Sequence, residues 1–331
     1  MVKMKNFHLV SFLISAYNEE RFIQECIDSC LNQTYHHIEI IIVNDGSTDA
    51  TSKIINLKYN KQPKVKIVNL NKNIGKVNGF NLAFEASQGE YIALMGADDT
   101  CYPHRIEESL RYSDEKDCFV CSDLDKINSI GTIIESKIIK TQYGNLRPED
   151  FSTKQLIENP KVYGGTIFLS RKLAHKIFPL NTNLSHEDWY IPIQASLNSE
   201  IKYIDKPLIA YRIHSKNSSA NTAKLIYNFP KWFYLNTRDI EYYKNLIRLV
   251  KKFSIETDID EINFKLAKSL LLKMDDKLNV YLKYLPQIKG NRRKLLFSLH
   301  LFPNLLYILA MLSRLKKNFI HKFYKIQRLK Q

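Results

Sequence analysis

The stretch IEIIIVNDGSTDATSKIINL, residues 38–57, decides the fold. Five of its first six residues are apolar and β-branched, the composition of a strand buried on both faces. NDGSTD (44–49) gathers the residue types of a tight turn. Ser47 or Thr48 stands where a cap belongs for a helix over 50–57. The same alternation recurs on either side. Residues 8–15 read as a buried strand. Asn18 is placed to cap a helix over 19–32, with Phe22, Ile23, Cys26, Ile27 and Leu31 at helical spacing. Residues 65–70 and 91–95 read as further strands, with a helix over 74–87 between them. Strands alternating with helices in this way predict a parallel sheet covered on both faces. Ligands of such sheets bind beyond the carboxyl ends of the strands, which singles out residues 16–19, 44–49, 71–76 and 98–99.

Beyond residue 100 the pattern is less regular. Pro103 opens a helix over 104–112, and strands are expected at 118–122 and 133–139 around a turn at 128–131. A strand over 164–170 leads into a short helix. A helix over 187–197 and strands at 201–204 and 208–213 follow. From Lys224 onward the signals are helical. Three regions are expected: 1–99, 100–220 and 221–331.

The chain has 331 residues, room for one large α/β domain with an appendage. With 44% hydrophobic and 25% charged residues, and only 10 Gly and 10 Pro, it is neither collagen-like nor disordered. Five cysteines, an odd number, argue against a disulfide scaffold. Cys118 and Cys121 form a CxxC, but no second pair completes a zinc site, and they lie in a strand, as structural thiols do. Of 49 Lys and Arg, 13 fall in residues 277–331, which contain no Asp or Glu; the rest of the chain holds 36 against 34 acidic residues. The body is close to neutral and the tail strongly basic. The N-terminus lacks the pattern of a signal peptide, so a cytoplasmic protein is expected.

Four polar groups sit where the sheet geometry needs them. YIALM (91–95) is followed by Gly96, Ala97 and two adjacent carboxylates, Asp98 and Asp99. Like charges at a strand end repel unless a cation or donors sit beside them. Mg2+ or Mn2+, hard ions that share ligands with a diphosphate, meet that need; an ordinary Asp turn is the alternative. Asp45, before Gly46, is positioned to accept from a uracil imide or a ribose hydroxyl, or to form a turn. Glu187 and Asp188, in SHEDW (185–189), stand at a loop-to-helix junction. A carboxylate there is a candidate general base, or an acidic first turn favoured by the helix dipole. YRIHSK (211–216) ends a strand in Arg212, His214 and Lys216, which suit phosphate, and in the case of His214 a metal. A solvated charge cluster is the other reading.

In order and spacing these groups resemble the family-2 glycosyltransferases, inverting nucleotide-sugar transferases with the GT-A fold. The resemblance is carried by ISAYNEE (14–20), IIIVNDGSTD (40–49), NKNIGKVNGFN (71–81), GEYIALMGADD (89–99), Glu187 with Asp188, and YRIHSKNSS (211–219). It covers residues 8–220. It implies an α/β GT-A fold, a mixed sheet flanked by helices, to which the helical C-terminal region is an extension. It implies that Ala16, Tyr17 and Glu19 line the nucleotide pocket and that Asp45 reads the base. Asp98 would lie near the ribose and Asp99 would ligate Mn2+ or Mg2+. Asp188, with Glu187 beside it, would be the base, and His214 and Arg212 would approach the metal or diphosphate. The chain departs from the family at Gly96, where many members have Asp, and at Ser15-Ala16, where Pro-Thr is usual. It also has Gly79-Phe80-Asn81 in place of Ala-Arg-Asn, so the donor contact of that Arg is either absent or moved to Lys76.

The implied reaction passes a sugar from a nucleotide-diphosphate donor, a UDP-sugar first, to a hydroxyl of a glycan or lipid-linked glycan. Sugar nucleotidyltransferases open with a Gly-rich basic loop, which SAYNEE is not. Nucleic-acid binding leaves the ordered carboxylates without a role, so no nucleic-acid partner is expected. In the tail, residues 295–312 carry no charge but are interrupted by Pro303 and Asn304, so a full crossing is not expected. Leu312, Leu315, Phe319, Phe323 and Ile326 then form one stripe among basic residues, the pattern of a helix lying on an anionic membrane surface. A basic helical domain packed on the body is the alternative. The expectation is a peripheral protein on the inner face of the cytoplasmic membrane.

Overall fold

The computed structural model describes residues 8–113, 117–158, 160–181, 187–215 and 217; the expectations for 221–331, basic tail included, lie outside them. Strands β1 (Val10–Ala16), β2 (Ile38–Asn44), β3 (Val65–Asn69) and β4 (Tyr91–Gly96) run parallel in the order β3-β2-β1-β4. Helices α1 (Ile23–Leu31), α2 (Thr51–Tyr59) and α3 (Lys76–Ala86) form the connections. β1 and β2 are apolar nearly throughout because both faces are covered. Phe12, Ile14, Ile40 and Ile42 are fully buried there, each stabilising the fold by about 1.5–3 kcal/mol. The register sets Ala16 beside Asn44 and Ser15 beside Gly96. The carboxyl ends of three strands therefore meet in one row, and the loops after them share one edge.

The other half of the sheet is mixed. β4 pairs antiparallel with β8 (Phe168–Ser170), which pairs antiparallel with β6 (Phe119–Ile127). β6 runs parallel to β9 (Ile201–Arg212), and the two-residue β5 (Thr100–Cys101) closes on β9 with Thr100 opposite Ala210. That last pairing carries Asp98 and Asp99 to the end of β9. Helices α4 (Arg105–Tyr112), α5 (Ile138–Tyr143), α6 (Thr153–Glu158), α7 (Arg171–Ile177) and α8 (Glu187–Ser196) flank this half. All five cysteines are buried free thiols. Among the described residues no helix is long and apolar enough to cross a membrane.

Several local expectations are corrected by contacts across the chain. Asn18 does not cap α1. It adopts a left-handed φ of 58°, and its Oδ1 accepts from the Thr48 amide at 2.8 Å. Ser47 in turn accepts from the Asn18 amide at 3.1 Å, so the two strand-end loops brace each other. α2 takes its N-terminal acceptor from Asp49, bonded to the Thr51 amide at 2.9 Å, not from Ser47 or Thr48. The strand expected over 133–139 is β7 (Ile133–Glu135), paired to β6. It stops because buried Asp123 accepts from the amides of Ile139 and Lys140, at 2.9 and 3.1 Å, and holds them as the first turn of α5. The two strands expected over 201–213 are one, with register shifts opposite Asp123 where Pro207 pairs. Gly164–Thr166, expected to begin a strand, is a 3-10 turn.

Candidate active site

The nucleotide-side residues stand at the row of strand ends. Ala16 is buried, and its carbonyl accepts from the Asp45 amide at 2.8 Å. Tyr17 is exposed. The Glu19 amide donates to Thr51 Oγ1 at 2.8 Å. Asp45 is only 1% exposed. Its two carboxylate oxygens accept from the amides of Ile74 and Gly75, at 2.7 and 2.9 Å. Asp45 is thus neither a solvent-facing acid nor a local turn former; it clamps the loop that leads into α3. Gly46 permits this with a φ of +64°, and a Cβ there would lie 2.6 Å from the Asn73 amide nitrogen.

Two of the departures from the family pattern explain each other. A Cβ on Gly79 would collide with Ser15 Oγ and lie 2.9 Å from Ser15 Cβ. The hydroxymethyl group of Ser15 fills the space that a side chain at 79 would need.

At the end of β4, Asp99 is 3% exposed. Burial and the neighbouring Asp98 push its carboxyl well above the usual range, against the pull of the Arg212 amide. Asp99 Oδ1 accepts from that amide at 2.8 Å. Asp98 Oδ2 lies 3.1 Å from His214 Nε2 and accepts from Asn217 Nδ2 at 3.1 Å. The other oxygens, Asp99 Oδ2 and Asp98 Oδ1, both lie over Gly96: a Cβ there would run into the first and sit tightly against the second, at 3.2 Å. Glycine at 96 therefore leaves a cradle faced by two carboxylate oxygens. Among the described residues no three His, Cys, Asp or Glu side chains are grouped to hold a metal by themselves. Two carboxylate oxygens do fit Mg2+ or Mn2+, which bind through one or two carboxylates and complete their shell with phosphate and water.

Arg212 differs from expectation, whereas His214 lies beside Asp98. Arg212 is 1% exposed, and its guanidinium is engaged on every side. Nε donates to the Asp98 carbonyl at 2.8 Å, Nη2 to Glu25 Oε2 at 2.5 Å, and Nη1 to the carbonyls of Asn128 and Ser129 at 3.4 Å. It also stacks 4.8 Å over the Phe22 ring. A guanidinium so enclosed braces the Asp98–Asp99 turn and does not present itself to a diphosphate. His214, buried against Phe22 with ring centroids 4.7 Å apart, points Nε2 at Asp98 and orients that carboxylate.

Glu187 and Asp188 open α8. Glu187 is buried and forms an ion pair with Lys76, the first residue of α3. Desolvation works against the lysine charge, but Glu187, Asp188 and Asp98 outweigh it and raise its pKa above the ordinary value. Lys76 also acts on Asp99, so one lysine faces four carboxylates. The turn Gly164–Thr166 separates the two acid pairs. A Cβ on Gly164 would touch Asp188 Cβ and Glu187 Oε1 at 3.5 Å, and one on Gly165 would touch Asp99 Oδ2 at 3.6 Å. Gly164, Gly165, Glu25, Phe22 and Asn217 were not singled out as site residues from the sequence. A Gly-Gly before an apolar run is a turn signal and marks the first two; the others carry no local signal.

A sheet that is parallel in one half and mixed in the other, with one acid pair after β4 and a second opening α8, has the architecture of the GT-A fold. Residues 11–178 match Glycosyl transferase family 2, and the chain belongs to that family. It is 29% identical over 302 residues to an uncharacterized glycosyltransferase of Haemophilus influenzae, covering 84% of this chain and 89% of that one. Its fold resembles that of S. aureus TarS residues 1–349, with a TM-score of 0.54, 18% identity, and coverage of 87% of this chain and 83% of that one. It likewise resembles the mannosyltransferase PcManGT of Pyrobaculum calidifontis, with a TM-score of 0.54, 15% identity, and coverage of 88% and 78%.

Proposed function

We propose that this enzyme transfers a sugar, with inversion, from a nucleoside-diphosphate donor to a hydroxyl of a glycan or lipid-linked glycan. The observation that carries this reading is the pair of carboxylate clusters, Asp98 with Asp99 and Glu187 with Asp188, on either side of the Gly164–Gly165 turn. TarS has been solved with UDP-GlcNAc, and PcManGT with GDP-Man and Mn2+; UDP is the donor nucleotide we favour. Ala16, Tyr17, Glu19 and the loop clamped by Asp45 receive the nucleotide. Asp99 and Asp98 would hold Mn2+ or Mg2+, which would supply charge stabilisation to the leaving diphosphate. His214, Asn217 and Arg212 keep those carboxylates aimed. Asp188 takes the proton of the attacking hydroxyl, a contribution of roughly 10²–10⁴-fold. A single base opposite the leaving group gives inversion. The basic tail holds the enzyme on the anionic inner face of the cytoplasmic membrane, near a lipid-linked acceptor.

The test is a panel of nucleotide sugars incubated with the full chain and Mn2+, scored for release of nucleoside diphosphate. Release from one donor, lost in Asp188→Asn, is the expected result. Release from none, in the presence of lipid-linked and free glycan acceptors, overturns the reading.

A further inference from the structure

We propose that Lys76 is exchanged between Glu187 and the donor diphosphate: Glu187 holds it in the free enzyme, and the incoming diphosphate takes it away. The proposal rests on the reading of this cleft as the donor site.

The two partners are unequally fixed. Glu187 has 4% of its side chain exposed, whereas Lys76 keeps 56% exposed. The backbone of Lys76 is anchored, because the two preceding amides are clamped by Asp45. Its side chain is a flexible stem with a compact charge, resting 5.7 Å over the Phe80 ring. The lysine is therefore the member that swings, and it swings from a fixed root at the nucleotide side. A diphosphate beside Asp98 and Asp99 brings further negative charge within reach of the same ammonium group. Leaving a buried carboxylate without its cation is costly. Glu187 is the first residue of α8, where the helix dipole lessens that cost.

The exchange has a consequence for chemistry. A nearby lysine stabilises the charged form of Asp188 and makes it a weaker base. When the diphosphate draws Lys76 away, Asp188 gains proton affinity. Base strength is then coupled to occupancy of the diphosphate site.

Binding measurements on the full chain, at constant Mn2+, separate this from a static role. UDP, with GDP in parallel, reports the diphosphate contact, and uridine serves as the control. In Glu187→Gln, UDP affinity should rise about fivefold with uridine affinity unchanged, because Lys76 no longer has to leave a partner. Lys76→Met should weaken UDP and not uridine. Adding Glu187→Gln to Lys76→Met should then change nothing. Unchanged or weaker UDP binding in Glu187→Gln overturns the exchange, as does the same tightening in the Lys76→Met background. Should Glu187→Gln fail to fold, Glu187→Asp, whose shorter arm loosens the pair, must tighten UDP in the same direction or the proposal fails. Wild-type protein that binds neither UDP nor GDP overturns the donor-site reading itself, a result distinct from UDP binding that ignores Glu187.

Discussion

Asp99 is a carboxylate that the fold buries beside another carboxylate. A group whose pKa is raised in the folded state contributes stability below the unfolded carboxylate range and loses it as pH rises through the folded value. Asp99→Asn removes that liability. In metal-free buffer the variant should melt at or above the wild-type temperature at about pH 8, with the difference narrowing toward about pH 4, read by calorimetry. The same variant should lose sugar transfer by at least about a hundredfold. A variant that melts lower at both pH values, or retains transfer, contradicts this account. If Asp188 is the proposed base, Asp188→Asn should reduce transfer by roughly 10²–10⁴-fold while UDP affinity measured by titration stays within about twofold, as a base that acts on the acceptor requires. The aspartate pair was legible in the sequence because it follows an apolar strand directly. The role of Arg212 was not, because a list of charged residues does not say which one the fold encloses.

At the scale of elements, the loops after β1, β2 and β3 behave as one braced unit. Asp45 serves two backbone amides in the loop before α3. Asp45→Ala leaves those part-buried donors without their acceptor, at a cost of about 1–3 kcal/mol. Limited proteolysis should then cut within residues 71–76, and UDP affinity should fall with it. A variant as resistant as wild type would show that the clamp is dispensable. α3 and β1 are fitted to each other through Gly79 and Ser15. Gly79→Ala overpacks that contact and should cost about 1–3 kcal/mol. Ser15→Gly should restore most of the loss in the double variant, a non-additivity that thermal melts resolve. Equal and additive losses would mean that the two positions do not share the space.

At the scale of the whole molecule, the proposed membrane association rests on the contrast between a near-neutral body and a basic tail. A surface basic residue is attracted to anionic lipid by about 1 kcal/mol, and the attraction weakens with salt. The full chain should pellet with anionic liposomes and not with neutral ones. Replacing Lys316, Lys317, Lys322 and Lys325 with Gln in the full chain should release it at moderate salt. UDP binding should be unchanged, because every motif residue lies before position 220. A full chain that ignores anionic liposomes at low salt removes membrane association from the proposal.

The sequence by itself determined the alternation of strands and helices in the first hundred residues, the edge where ligands bind, and the acids worth watching. These follow from side-chain periodicity and strand-end chemistry, which act between near neighbours. Tertiary structure alone decided what each acid touches. Asp45 meets amides some thirty positions on, Asp99 meets the Arg212 amide across 113, and Lys76 reaches Glu187 from the opposite half of the sheet. The turn at Gly164–Thr166 comes between two acid pairs that no spacing in the chain relates. The stop of β7 and the start of α5 depend on Asp123, buried in a neighbouring strand. Buried polar groups take whichever partners packing brings within hydrogen-bond distance, and that choice is made by strand pairing across the sheet, not by the local pattern of residues.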